Sequence, residues 1–521
     1  MVQYCTLSVV KRCLFKTLII AVIIEIICYP TTYNLMVTLS CLYGWWLLNR
    51  FVLTSKVLKI YPISFLVLFG LGIFYYYTPV IVTLLEFKPV TFTFLVPFDT
   101  AIHHFLFITM VVVSFCVYTK LIGTRNIFRH ILLKLGYFSP PTDRQIWVLG
   151  ILGLLGMIYQ RGVQGADFSA ASAGWFYRLI VGITPFAAAP VCLLMKKIYS
   201  NEPIEVSPKT KKAVYFHIIV AFILGISSGS RSLMISFFCV LFLIFFLYVL
   251  INNIRITSFF SSRKIICLFV FFYMVTGPLS DLALAMVINR KAGKEQTALQ
   301  YIESTFDIFL NKELLYKLKM EFDNQNNTII TDKMAWDEYY VDNVFLARFS
   351  NLKIWDQTMH HAERVGFDNY KMKNFFGERI ISYLPTPLIN LLGINFNKYD
   401  AVDCSSGDLL YGLSEGGYVP VRGYRVTSHV GMGLATFGYK FYIISFGVYI
   451  LLFYMLDSLC FIFQRRKKII VSLGTLVLFY QLFIFFTNGE GLVRDLGFMF
   501  RGYIQNIVIY LILFGFIRKF F

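Results

Sequence analysis

Residues 232–251 read Ser232-Leu-Met-Ile-Ser-Phe-Phe-Cys-Val-Leu-Phe-Leu-Ile-Phe-Phe-Leu-Tyr-Val-Leu-Ile251, a run without a single charge, and Arg231 stands directly before it. A helix of about 20 mostly apolar residues spans the roughly 30 Å hydrocarbon core of a bilayer. A water-facing helix keeps a polar stripe, and this run has none. Working outward with the same ruler gives further candidate spans near 13–29, 33–49, 60–84, 101–119, 146–160, 176–195, 213–227, 264–280, 430–463, 469–487 and 501–517, twelve in all. The 146–160 and 213–227 segments are short. The 430–463 segment is long enough to begin with an interfacial piece before it crosses.

Composition agrees with this reading. The 521 residues are 57% hydrophobic, 18% aromatic and 15% charged, against about 45–50% apolar and about 25% charged in soluble domains. A soluble globular protein is therefore excluded. The net charge of +19 would suggest nucleic acid in a soluble chain, but here it sorts by side. Alternate connections, from the N-terminus to the Arg518–Lys519 tail, carry 25 basic residues and 3 acidic ones, Asp143, Glu202 and Glu205. Lysine and arginine are held back in cytoplasmic loops, so this set and both termini are expected inside, and no nucleic-acid partner is implied.

The intervening connections are short and nearly neutral, except for one long outer segment from Asp281 to His429 with 16 basic and 19 acidic residues. The expected organisation is an all-α integral membrane protein: a membrane domain over 1–280 with spans one to nine, a large outer loop or cap over 281–429, and a membrane domain over 430–521. Within the loop, Thr297 to Phe322 has the periodicity of an amphipathic helix. Phe375 to Leu392 is apolar but broken by Pro385 and Pro387, which suits a piece lying on a surface. No cleavable signal peptide is evident. Nine of the ten cysteines lie in or beside spans, so no disulfide framework is expected. Glu25 and Asp457, within spans, are best placed at the interfaces.

An arginine near hydrocarbon is costly, by about 2.5–3.5 kcal/mol at a helix centre on insertion scales. Arg231 follows Ser227-Ser-Gly-Ser in a short connection, where small residues allow a tight turn and a helix N-terminus adds to an anion site. The alternative is an arginine snorkelling to lipid headgroups. Arg494 and Arg501, seven apart, share a face if the segment is helical, and two guanidinium groups on one face suit a diphosphate. The alternative there is that Arg494 pairs with Glu490 at i, i+4 while Arg501 snorkels. Arg161 and Arg178 are weaker candidates of the same kind. A Gly-rich stretch, Ser406 to Gly423, feeds Arg422, Arg425 and His429 toward the next span. A neutral imidazole is the natural group to take a proton from a sugar hydroxyl, which makes His429 the candidate base, and a structural role at a helix start is its alternative. Asp408 and Glu415 are the back-up bases. His103–His104 and His360–His361 lack partners at zinc spacing, so no metal site and no cofactor are expected.

Ser228-Gly-Ser-Arg231-Ser at the mouth of a span, the long late outer loop, Phe437-Gly438-Tyr after it and Arg501-Gly502 at the last span together resemble the O-antigen polymerases called Wzy and related bacterial oligosaccharide repeat-unit polymerases. The likeness covers most of the chain at the level of topology. Met432 stands about where relatives often carry a glutamate, so no acidic role transfers there. The resemblance implies a metal-independent, GT-C-like glycosyltransferase of the bacterial inner membrane. It implies polymerisation of undecaprenyl-diphosphate-linked oligosaccharides, with His429, Arg231 and Arg501 catalytic and Arg161, Arg422, Arg425, Arg494 and Glu415 binding substrate. Partners implied are the lipid-linked units, the bilayer, a chain-length regulator and a flippase. Two other classes stay open: a flippase or other transporter, which the missing half-repeat and the long loop disfavour, and an O-antigen ligase. An acyltransferase has only His130 beside Arg129 as a hint.

Overall fold

The computed structural model describes residues 6–122, 126–163, 175–200, 206–227, 231–254, 273–274, 277–291, 298–317, 320, 336, 340–343, 346–384, 386–394, 404–417, 419, 423–463, 468–487 and 489–520. The chain begins with helices α1 (Thr6–Cys28) and α2 (Thr32–Phe51), the second capped by the Thr31 hydroxyl. Then come α3 (Pro62–Leu85) and α4 (Pro97–Leu121). Further helices are α5 (Asp143–Val163), α6 (Leu179–Ile198), α7 (Pro208–Ser227) and α8 (Arg231–Ile251). The long segment holds α9 (Pro278–Lys291), α10 (Ala298–Leu310), α11 (Leu352–Val365), α12 (Tyr370–Ser382), α13 (Thr386–Leu391) and α14 (Ser406–Ser414). Helices α15 (His429–Phe437) and α16 (Lys440–Ser458) follow. Strands β1 (Cys460–Phe463) and β2 (Lys468–Val471), short helices α17 (Leu473–Leu476) and α18 (Phe479–Phe483), and α19 (Leu492–Phe520) complete the chain.

The protein is helical, and among the described residues seven helices are long and apolar enough to cross a membrane: Pro62–Leu85, Pro97–Leu121, Leu179–Ile198, Pro208–Ser227, Leu233–Ile251, Lys440–Ser458 and Leu492–Phe520. Helices α1, α2 and α5 reach 23, 20 and 21 residues, long enough in rise alone. The expected span at 264–280 lies mostly outside the described residues. Close helix approach is bought with small residues. A Cβ on Gly44 of α2 would lie 2.1 Å from the Tyr76 ring of α3, and one on Gly153 of α5 would lie 2.0 Å from the Ala187 nitrogen of α6.

One expectation changes. The 469–487 segment is not one crossing helix. Cys460–Phe463 pairs antiparallel with Lys468–Val471, Cys460 opposite Val471, because Ile469, Ile470 and Val471 are β-branched and fit a strand. Ser472 then caps a fresh helix, and Leu473–Thr487 continues as short turns. Such broken backbone is tolerated at membrane depth where protein buries it, and Leu476, Phe479, Leu482 and Phe486 are buried. Glu25 and Asp457 are both fully buried within the protein. Glu25 accepts from Asn34 at 3.2 Å and Thr83 at 3.3 Å. Asp457 accepts from the Ser64 amide at 3.1 Å and hydroxyl at 2.6 Å, supplying the acceptor that the first turn of α3 lacks.

The long segment packs into the helical bundle through α11. Its Asp356 accepts from the Leu95 and Val96 amides at 2.7 and 2.9 Å, just before α4 begins. Trp355 is buried edge-on against Tyr75, His104 and Phe107. Between α15 and α16 the chain turns at Gly438, whose φ of +56° suits only glycine readily. The 430–463 segment is thereby divided into a short helix and a crossing one.

Candidate functional site

Where α19 begins, a cavity of about 270 Å³ opens between that helix, the broken stretch before it and the end of α12. Its polar lining is Tyr383, Gln481, Arg494, Arg501, Gln505 and Asn506; Leu478, Leu482, Phe485 and Phe498 form the apolar wall. Among the described residues no carboxylate lines it. The spacing of seven does place both arginines on one cavity, although the helix runs as a π-turn over Phe498–Gly502 between them. Arg501 Nε donates to Gln505 Oε1 at 3.2 Å, which orients the guanidinium. Tyr383 is packed on the bare backbone of Gly497: a Cβ there would meet the ring at 2.5 Å and the hydroxyl at 2.8 Å. Burial first, and then the Glu490 carboxylate, push the Tyr383 hydroxyl up to about 12 against the pull of Arg379, Arg494 and Arg501. Tyr383 thus stays a neutral O–H donor. Two guanidinium groups, a hydroxyl and side-chain amides facing one small volume form a receptor for an anion with several oxygens.

The loop that leads into α19 is held down at several points. Glu490 sits at φ +76° and Gly491 at φ +54°. A Cβ on Gly489 would lie 2.8 Å from the Thr427 nitrogen, so only glycine allows this close crossing. Glu490 does not pair with Arg494; one Arg379 nitrogen straddles its two oxygens at 2.7 Å each. This crossing brings His429 next to α19, where its Nε2 lies 3.3 Å from Asp495. Both side chains are buried, at 2% and 0% exposure. The His429 ring packs between Phe107 and Phe486 and does not line the cavity.

The other sequence candidates are dispersed. Arg425 is neutralised by Asp408 at 2.9 Å and lies over the Tyr411 ring at 4.2 Å. Asp408 itself is fully buried and completes the capping box of α14 with Ser405. Glu415 binds Arg364 at 2.5 Å, away from the cavity. Arg231 opens α8 and Arg161 lies near the end of α5; their side chains, with that of Arg178, lie outside the described residues, as does Arg422 altogether. Tyr383, Gln481, Gln505 and Asn506 escaped the sequence reading. The Gln505-Asn506 pair inside an apolar span was the available signal, since polar groups there are rarely idle. Among the described residues no cluster of three or more His, Cys, Asp or Glu could hold a metal ion.

No protein family, no curated protein and no solved structure matches this chain.

Proposed function

We propose that this protein polymerises undecaprenyl-diphosphate-linked oligosaccharide repeat units into O-antigen or a related surface polysaccharide, at the outer face of a bacterial inner membrane. The observation that carries the reading is the cavity at the mouth of the last apolar helix, which among the described residues is lined by Arg494, Arg501 and four neutral donors and by no carboxylate. In this proposal both termini are cytoplasmic, as the 25 basic and 3 acidic residues of one loop set suggest, and the apolar segments together make up about twelve crossings.

The chemistry follows from the leaving group. An acceptor sugar hydroxyl attacks the anomeric carbon, the new C–O bond forms as the hydroxyl proton passes to water, and the bond from that carbon to the diphosphate oxygen breaks, so that the lipid diphosphate leaves. Charge grows on the departing oxygen, and prepositioned donors stabilise it where it develops. Arg494 and Arg501 take that role, each able to give two parallel hydrogen bonds, with Tyr383 and the amides fixing orientation. The apolar wall of Leu478, Leu482, Phe485 and Phe498 suits the start of the prenyl chain. Arg231 is kept as a further diphosphate ligand on the strength of its sequence context. His429, buried on Asp495, is assigned to holding the turn that carries Arg494 and not to proton abstraction from a sugar.

The test is complementation of a deletion strain with Arg494→Ala, Arg501→Ala and Arg231→Ala. Loss of long polymer with normal protein in the membrane is expected for the first two. Unchanged polymer length and amount in both would remove the diphosphate site.

A further inference from the structure

Glu490 stands four residues before Arg494, the spacing at which opposite charges pair along a helix. Its carboxylate is engaged elsewhere. Arg379 holds both oxygens at 2.7 Å, and the Ser406 amide donates to Oε1 at 3.3 Å. The Glu490 amide donates to the Thr427 hydroxyl at 3.0 Å. All three partners come from the long segment 281–429. At φ +76° the Glu490 backbone departs from the helical path that would align it with Arg494. Arg494, in turn, has no hydrogen bond or salt bridge from its guanidinium to any described residue, and it lines the cavity while Arg379 does not.

We propose that Arg379 is a positioning residue that sequesters Glu490, so that the Arg494 guanidinium keeps its hydrogen bonds for the diphosphate. The inference rests on reading the cavity as a diphosphate site. Released from Arg379, Glu490 is tethered within reach of Arg494 at a high effective concentration, and an anion in the cavity must compete with it. The Arg379–Glu490 pair is only 12% and 21% exposed at its side chains, so water does little to weaken the hold. The long segment thereby controls which partner the Arg494 guanidinium is left to bind.

Binding of inorganic pyrophosphate to the purified full-length protein in detergent, followed by calorimetry, tests this. Arg379→Ala is expected to weaken binding by about tenfold or more. Adding Glu490→Gln to that variant is expected to restore affinity to within about threefold of wild type, because the competing carboxylate is gone. Arg379→Lys keeps a cation on Glu490 and is expected to bind close to wild type. Wild-type affinity in Arg379→Ala overturns the inference. A double variant as weak as Arg379→Ala also overturns it, since Arg379 would then act by contact or by holding the fold. If wild type and Arg494→Ala bind pyrophosphate equally, or neither binds, the diphosphate reading of the cavity itself fails and takes this inference with it.

Discussion

The imidazole Nε2 of His429 lies 3.3 Å from each carboxylate oxygen of Asp495, the first residue of α15 against the first turn of α19. Sixty-six residues separate them, and Gly489 and Gly491 make the crossing possible by keeping Cβ atoms out of the way. Asp495 neighbours Arg494, so the pair fixes the turn from which Arg494 reaches the cavity. A histidine at a helix start is thereby given a use that neither lipid contact nor sugar contact requires.

His429→Ala leaves a buried carboxylate without its N–H donor, at a cost of about 3 kcal/mol. Asp495→Asn in the same background should recover most of that loss, because the charge is gone. Denaturant unfolding in micelles checks the cycle. Simple additivity of the two single effects would contradict the coupling.

Gly497→Ala should lower polymer output by about tenfold or more, since a Cβ 2.5 Å from the Tyr383 ring forces that ring out of place. Gly502→Ala is the control on the same lining: its nearest contact is the Phe498 ring at an ordinary 3.4 Å. Equal activity for both variants would mean that Tyr383 is not positioned by Gly497.

His361 supplies a pH prediction. It is buried between Gln357 at 2.8 Å and Ser414 at 2.7 Å, with Trp336 stacked on its ring. Burial foremost, then His360, Arg364, Arg425 and Lys353, lower it from 6.5 to about 3. The folded protein holds it neutral while the unfolded chain takes up a proton below 6.5, so stability is lost as pH falls from 6.5 toward 3. The slope is about 1.4 kcal/mol per pH unit. His361→Gln should therefore show a shallower fall in thermal stability between pH 6.5 and pH 5 than wild type. Identical slopes would contradict the neutral assignment.

These predictions draw unequally on the sequence. The apolar helices are legible because the bilayer imposes one length on all of them, and Gly438 divides 430–463 where the excess length asked for a break. The shared cavity of Arg494 and Arg501 follows from a spacing within one helix. What completes that cavity does not: Tyr383 arrives from α12 by way of Gly497, and Gln481 from a broken stretch that hydropathy alone reads as a single span. The partner of Glu490 is hidden from the sequence for the same reason. Helical spacing offers Arg494, whereas the fold delivers Arg379 from 111 residues away. Local periodicity carries information about faces, and it carries none about which distant side chain wins a charge.

The most direct measurement is the glycan profile of a strain lacking this gene, separated by chain length. Loss of long chains, with a single repeat unit still joined to the lipid core, is the expected result for a polymerase. Loss of all decoration, or a profile unchanged from wild type, would contradict it.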